Sequence, residues 1–202
     1  ASSKVKELDL SNFDKRNVNN MNSMFAYTAN LENIDLSSFN TSKVRSMVEM
    51  FVESGAETIN ISSFTTERLE NVSSMFGFCW NLTTILTSPS LDLTAISGEG
   101  IFKGDENIVG GRGTTFDSGA CMAGYACTDI KYALVDGGES NPGYFTDSTT
   151  VTVTFMVGET TQKEVDVYIY HTVENNDIPE KENYHFVAWY YEDTFETEYK
   201  TI

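Results

Sequence analysis

Polar and apolar residues alternate along a short segment that recurs three times in the first third of the chain. The copies read LDLSNF at residues 8–13, IDLSSF at 34–39 and INISSF at 59–64. Because successive side chains of a β-strand point to opposite faces, this alternation predicts a short strand with one buried aliphatic face. A turn is expected after each strand, with the ring of its Phe buried beneath it.

The apolar columns extend beyond these hexapeptides and define a longer repeated unit. Successive copies are offset by 26 and then by 25 residues. In the first copy, Val18, Met21, Met24 and Phe25 follow the spacing i, i+3, i+6 and i+7, which predicts a stripe along one face of a short helix. Each unit is therefore predicted to contain a strand, a turn, a short helix and a return segment.

A fixed period of this length is typical of a solenoid, in which strands of successive units lie side by side. Neighbouring strands lie about 4.8 Å apart, whereas packed helices need about 8–10 Å. The predicted stack must therefore curve, with its strands on the concave face. A fourth, degraded unit is expected where Ile85 and Ile101-Phe102 continue the columns, since terminal repeats lack one neighbour.

The charge of the chain excludes some classes of partner. Thirteen Lys and Arg against 30 Asp and Glu give a formal net charge of −17 over 202 residues. Since phosphate binding needs a basic surface, this balance argues against nucleic acid or anionic lipid as the main partner. The sequence contains no apolar run long enough to cross a membrane and no signal-peptide pattern. It begins with Ala1 and is interpreted as a processed protein or a piece of a longer one.

Residue types that catalysis requires are sparse. The only histidines are His171 and His185, so no Ser-His-Asp or Cys-His set can be built within the repeats. No Cys/His spacing fits a zinc site, and the glycine-rich segment 109–113 lacks the Lys and Ser/Thr of a phosphate-binding loop. The sequence therefore predicts a protein that is not an enzyme and that uses no cofactor or metal.

The three cysteines are too few for a disulfide scaffold. Cys121 and Cys127 are six residues apart in a glycine-rich loop, where they either form a bridge or remain two unpaired thiols. Cys79 follows the helical pattern and is expected to be a small buried residue.

The outward positions of the predicted strands form polar ladders along the concave face. These ladders either bind a partner or form a solvated face that is kept polar to prevent association. Asp9 and Asp35 fall on adjacent units and would repel each other, which a bound cation or a basic partner would relieve. The candidate binding residues are Glu7, Asp9, Ser11, Asn33, Asp35, Ser37, Thr58, Asn60 and Ser62.

The repeats resemble the BspA-like leucine-rich repeats of bacterial surface proteins. The resemblance rests on LDLSNF and IDLSSF, on the closing motifs NMNSMF, SMVEMF and NVSSMF, and on an end piece that begins IFKGDENIVGGRGTTFD. It covers roughly residues 4–147 and implies an α/β leucine-rich-repeat solenoid over 1–148, with its end piece at about 101–148. Ile101 in place of Met and the cysteine pair depart from the family pattern.

Residues 149–202 differ in pattern from the repeats. VTVTFMVG at 151–158 and KEVDVYIY at 163–170 alternate as two strands, and NYHFVAWYYED supplies an aromatic third strand. This segment resembles the Listeria–Bacteroides repeat, also called the internalin B-repeat, which implies a small, mainly-β, β-grasp-like domain. Ala188 stands where that family has Gly, and the last strand of the family is expected beyond Ile202, in a shortened module.

What the resemblance implies is a bacterial cell-surface protein that mediates adhesion or protein–protein interaction through the repeat solenoid. Its partner would be a host protein or another bacterial surface protein. Two alternatives remain at the level of sequence: a carbohydrate-binding accessory module of a larger secreted protein, or a passive scaffold or spacer. The chain is expected to be an extracellular monomer, secreted or anchored to wall or lipid through segments outside it.

Overall fold

The chain forms two units in the computed structural model, Ala1–Thr149 and Thr150–Ile202. The structure describes residues 8, 10, 17–121, 126–157, 160–169, 189–190 and 198–199. The pairing of the first predicted strand and most of the aromatic strand at 183–193 lie outside these residues. None of the helices that are described has the length and apolarity needed to span a membrane.

A parallel sheet of four short strands runs through the first unit. The strands follow chain order in the sheet and are β1 (Asn33–Asp35), β2 (Thr58–Asn60), β3 (Thr84–Thr87) and β4 (Phe145–Asp147). The register places Ile34 opposite Ile59 and Ile59 opposite Ile85. All three side chains are buried. The alternating segments of the repeat therefore form neighbouring parallel strands, as the pattern predicts.

A second ladder of backbone hydrogen bonds joins the copies at the segments that close each unit. The Met21 amide donates to the Ser46 carbonyl at 2.9 Å, and the Phe25 amide donates to the Met50 carbonyl at 2.8 Å. The Met24 amide between them donates within its own turn, to the carbonyl three residues earlier. The same alternation joins the second copy to the third and the third to the fourth.

These closing segments are not α-helices, so the prediction of a short helix in each unit is wrong. Two residues in each segment, four positions apart, have positive φ, which interrupts a right-handed helix. They are Ser23, Tyr27, Glu49, Glu53, Ser74 and Phe78. Met21 and Phe25 nevertheless point into the core from positions four apart, the spacing that suggested a helix. Two short 3-10 turns, Ser118–Cys121 and Asp129–Tyr132, are the helices of the described part of the chain.

A column of parallel phenylalanine rings fills the core between the sheet and the closing segments. Phe25, Phe51, Phe76 and Phe102 stack with centroid distances of 5.7, 5.3 and 5.6 Å and interplanar angles of 8°, 3° and 2°. Each ring is at most 3% exposed. Because each copy contributes one ring, the stacking advances in step with the backbone ladders.

The fourth copy keeps the backbone geometry of the others although its sequence has diverged. Phe102 continues the ring column and Ile85 continues the sheet. The two left-handed positions are now Gly100 and Gly104, with φ of 64° and 84°. Glycine adopts this conformation without the steric cost that other residues bear.

The second unit contains two antiparallel strand pairs among its described residues. Strand β5 (Thr150–Val157) pairs with β6 (Thr160–Tyr168), and the register shifts between Phe155 and Met156. Strand β7 (Trp189–Tyr190) pairs with β8 (Glu198–Tyr199). The strand predicted at 163–170 therefore begins earlier than the alternation indicates.

The left-handed positions give a direct test of the closing segments. Glu49 is exposed with φ of 55°, so Glu49→Gly should be more stable than Glu49→Ala by about 1 kcal/mol. An α-helix would give the opposite order, because Gly costs about 1 kcal/mol relative to Ala there. Urea denaturation measures both variants, with the same pair of substitutions at exposed Glu67 as the control. Ala more stable than Gly at position 49 would contradict the left-handed geometry.

The ring column should dominate the stability of the first unit. Phe51 is fully buried between two stacked rings, so Phe51→Ala should lower the free energy of unfolding by about 3–5 kcal/mol. Tyr27 is 61% exposed, and Tyr27→Ala should change it by less than about 0.5 kcal/mol. Chemical denaturation followed by circular dichroism compares them. Similar small losses for both variants would show that the column does not hold the copies together.

Candidate functional site

The structure brings together the candidate residues that lie on the first two described strands. The register places Asn33 beside Thr58 and Asp35 beside Asn60. Asn33, Asp35 and Ser37 are exposed, whereas Thr58, Asn60 and Ser62 are half-buried. We call these six residues the polar strand face. Glu7, Asp9 and Ser11 lie outside the described residues, and so does the Asp9–Asp35 pair.

Local hydrogen bonds explain why the strands end in Asp or Asn. Asp35 Oδ1 accepts the Ser37 amide at 3.0 Å, and Asn60 Oδ1 accepts the Ser62 amide at 3.0 Å. Such side-chain bonds to the residue two positions on form a turn that ends the strand. The turn engages one oxygen of Asp35, while the negative charge of the carboxylate remains on an exposed surface.

The polar face ends within the third strand, where Thr84, beside Thr58, is still half-buried. Leu86 lies beside Asn60 in the register and is only 4% exposed, and Thr146 follows it on β4 at 1%. A Cβ added to Gly111 would lie 3.1 Å from Thr146 Cγ2, so the glycine-rich loop covers the outer side of β4. The accessible polar surface of the sheet therefore lies on β1 and β2 and extends to Thr84 on β3, within the described part.

A shallow groove of about 320 Å³ lies beside the polar strand face. Its lining consists mainly of hydroxyl side chains, with one carboxylate, that of Glu67. The hydroxyl of Ser63 is within hydrogen-bond distance of the Leu36 and Phe39 carbonyl oxygens, at 2.9 and 2.7 Å. A groove of this composition can supply polar contacts, whereas general acid–base chemistry requires paired titratable groups. The two histidines lie outside the described residues.

The glycine-rich segment 109–113 encloses a carboxylate of the chain itself. Asp136 is 2% exposed, and its two oxygens accept the Arg112 and Gly138 amides, both at 2.8 Å. Thr114 adds its amide at 3.1 Å and its hydroxyl at 2.7 Å. Burial acts to raise the pKa of Asp136, but these hydrogen bonds outweigh it and hold the pKa below its usual value. The Arg112 amide of the segment and the Thr114 and Gly138 amides therefore bind an internal anion.

Two further buried carboxylates lie where the repeats end. Asp129 Oδ2 accepts the Phe102 amide at 2.8 Å, the position that a carbonyl of the next copy takes for Phe76. Asp105 Oδ1 accepts the Cys79 amide at 2.7 Å. Burial raises the pKa of both carboxyl groups. Asp105 Oδ2 and Asp129 Oδ1 have no hydrogen-bond partner among the described residues.

The cysteines fall into two kinds. Cys79 is fully buried with its thiol 3.0 Å from the Phe51 carbonyl, and burial with the nearby Asp105 carboxylate raises its pKa. A thiol in this setting stays protonated and unreactive. Cys121 and Cys127 form a disulfide in the structure, which is one of the two arrangements their spacing left open.

Sequence reasoning did not identify the buried carboxylates as structural groups. Asp105 continues a 25- to 26-residue column of small polar residues that comprises Thr28, Ser54 and Cys79. The position of Asp105 in that column could have predicted that its side chain is buried. Asp129 and Asp136 lie beyond the repeats, where no periodic position predicts them.

Comparison with known proteins finds a match for the first part of the chain. Residues 1–96 match a family model described as a Mycoplasma protein of unknown function, DUF285. No curated protein and no solved structure matches the chain. The matched residues include β1, β2 and the polar strand face, whereas the end piece and the second unit lie beyond them.

The carboxylate cradle predicts a pH-dependent loss of stability. Asp136→Asn replaces an acceptor oxygen with a donor facing backbone amides, so it should cost about 2–4 kcal/mol at pH 7. Because the folded-state pKa is depressed, this contribution is fully present above the unfolded pKa, about 4, and is lost as pH falls through the folded value. Urea denaturation between pH 2 and pH 7 measures the difference.

Asp92→Asn is the matched control for that experiment. Asp92 is exposed and accepts the Thr94 amide at 2.8 Å, a bond that Asn also makes, so its substitution should be nearly neutral. A stability difference between wild type and Asp136→Asn that stays constant into the acid range would contradict the cradle.

Proposed function

We propose that the chain is part of a bacterial cell-surface protein that mediates adhesion or protein–protein interaction through a leucine-rich-repeat solenoid. The observation that carries this proposal is the polar strand face, where exposed side chains of β1 lie in register with half-buried polar side chains of β2. The family model that matches residues 1–96 is found in BspA-like surface proteins, which supports the same class.

The solenoid is supported by the agreement of three periodic features. The parallel sheet, the closing-segment ladder and the phenylalanine column all advance by one copy every 25 or 26 residues. Stacked units of this kind share one continuous core. We infer that the strands line its concave face, and that the second unit is a β-grasp-like spacer or a further contact module.

A protein partner suits the polar strand face better than a small molecule does. Its side chains project from two paired strands, so little backbone conformational entropy is lost on binding. The surface is polar and shallow, whereas small-molecule sites are deep and mostly apolar. The net charge of −17 favours a partner that presents basic residues.

An extracellular location is supported by the cysteine chemistry. Cys121 and Cys127 form a disulfide, and disulfides persist mainly in oxidising compartments outside the cytosol. This fits a surface or secreted protein acting as a non-enzymatic binding module.

Matched substitutions test the proposal. Asn33→Arg places bulk and positive charge on the exposed end of the polar strand face, and Asn141→Arg makes the same change on an exposed residue of the end piece. Binding to a panel of purified matrix proteins and basic surface proteins is measured by biolayer interferometry. Asn33→Arg should weaken binding at least about tenfold, a loss of about 1.4 kcal/mol, whereas Asn141→Arg should leave it unchanged.

Charge is tested separately from shape in the same assay. Asp35→Asn keeps the bond to the Ser37 amide, as Asn60 shows, but removes the charge, and Asp92→Asn is its counterpart away from the strands. Weaker binding and a smaller salt dependence for Asp35→Asn alone support a basic partner. Equal effects of Asp35→Asn and Asp92→Asn on binding would contradict the proposal that the polar strand face is the binding surface. Binding on a glycan array without any protein partner would favour the carbohydrate-binding alternative.

A further inference from the structure

Three side chains able to ligate a metal converge beside the last copy of the repeat. The Sγ atoms of Cys121 and Cys127 and a carboxylate oxygen of Asp129 all lie within 4.8 Å of one another. The two sulfur atoms are joined as a disulfide in the structure. We propose that reduction of this disulfide creates a site for a thiophilic divalent cation, of which Zn²⁺ is the type, held by Cys121, Cys127 and Asp129.

The geometry of the three atoms fits tetrahedral coordination. Zn²⁺ binds thiolate sulfur at about 2.3 Å and carboxylate oxygen at about 2.0–2.2 Å, which puts neighbouring ligand atoms about 3.5–3.8 Å apart. That separation lies within the 4.8 Å that contains the three atoms. The sulfur atoms therefore need to part by less than about 2 Å from their bonded distance of about 2 Å.

The burial and hydrogen bonding of the Asp129 carboxylate suit a metal ligand. It is 1% exposed, and the Phe102 amide fixes its Oδ2 at 2.8 Å. Oδ1 is buried and has no hydrogen-bond partner in the described part of the chain. A buried carboxylate with an unpaired oxygen is costly, and a cation bound by this carboxylate would offset part of that cost. The bond at Oδ2 would orient the ligand, as outer hydrogen bonds do at metal sites.

An open groove gives the site access to solvent. Cys127 lines a groove of about 510 Å³ together with Ser97, Glu99 and Lys103. Water from this groove would complete a four-coordinate shell of three protein ligands and one solvent ligand. Lys103 brings one positive charge, and Glu99 brings one negative charge to the same groove.

Disulfide and metal exclude each other, so the site would respond to redox conditions. A dithiol reductant supplies two electrons and two protons, which breaks the S–S bond, and the reductant becomes a disulfide. Binding of the cation then displaces the two thiol protons to solvent. The sequence analysis did not predict this site, because the segment that contains Cys121, Cys127 and Asp129 has no histidine and matches no Cys/His spacing of a zinc site.

Cobalt(II) is the probe that tests the proposal, because thiolate coordination gives sulfur-to-cobalt absorption in the near ultraviolet. The chain is reduced with dithiothreitol, desalted without oxygen and titrated with Co²⁺, then with Zn²⁺ in competition. We expect one equivalent of Co²⁺ with this absorption for the reduced protein and none for the oxidised protein. Zn²⁺ should raise the midpoint of thermal unfolding of the reduced protein only.

Variants assign the ligands. Asp129→Asn should weaken Co²⁺ binding at least about tenfold, and Cys127→Ser, which leaves one thiolate, should lower the sulfur absorption by at least about half, whereas exposed Glu139→Gln should change neither. Because Asp129 also supports the Phe102 amide, circular dichroism checks its folding. If Asp129→Asn is unfolded, the sulfur-to-cobalt absorption of Cys127→Ser decides whether the proposal holds. Absence of the absorption in the reduced protein, or its undiminished persistence in Cys127→Ser, would overturn the proposal, as would unaltered binding by folded Asp129→Asn.

Discussion

The structure depends on backbone hydrogen bonds between copies, in which strand amides and every second amide of a closing segment donate to carbonyls of the next copy. Buried amide and carbonyl groups are rarely left unpaired, because the loss of water is not otherwise compensated. Two ladders meet this need, one along the strands and one along the closing segments. The left-handed residues and the one ring per copy follow from it, since both repeat with the period of the ladders.

A repeat held together in this way has a problem at its last copy, where no further carbonyl is available. The end piece solves it with a side chain and a late strand. Asp129 supplies the acceptor for the Phe102 amide, and β4 pairs with β3 from far along the chain. Each buried carboxylate also brings a desolvation cost, which raises the pKa of Asp105 and Asp129.

The periodic part of this arrangement could be predicted from the sequence, and the rest could not. Ile34, Ile59 and Ile85 fall in one register, as their spacing of 25 or 26 residues and the same alternation predict. The helix prediction failed because buried side chains four residues apart, such as Met21 and Phe25, occur in an α-helix and also in these turns. In the turns a residue with positive φ, such as Ser23, lies between the two buried residues. Asp129 lies two residues after Cys127, but its role as the acceptor for the Phe102 amide could not be predicted, since only the folded chain brings the two together.

Comparison of equivalent positions in different copies shows which residues the fold requires and which it leaves open to a role in binding. Asp35 and Asn60 occupy one column and accept the same amide bond at the same distance, 3.0 Å, so the turn does not determine which of them is charged. A carboxylate at an exposed position that an amide serves equally well gains nothing from the turn. Charge at that position is therefore free to be set by a partner. The choice of residue on the polar strand face can therefore reflect binding to a partner. The choice of residue in the buried columns reflects packing alone.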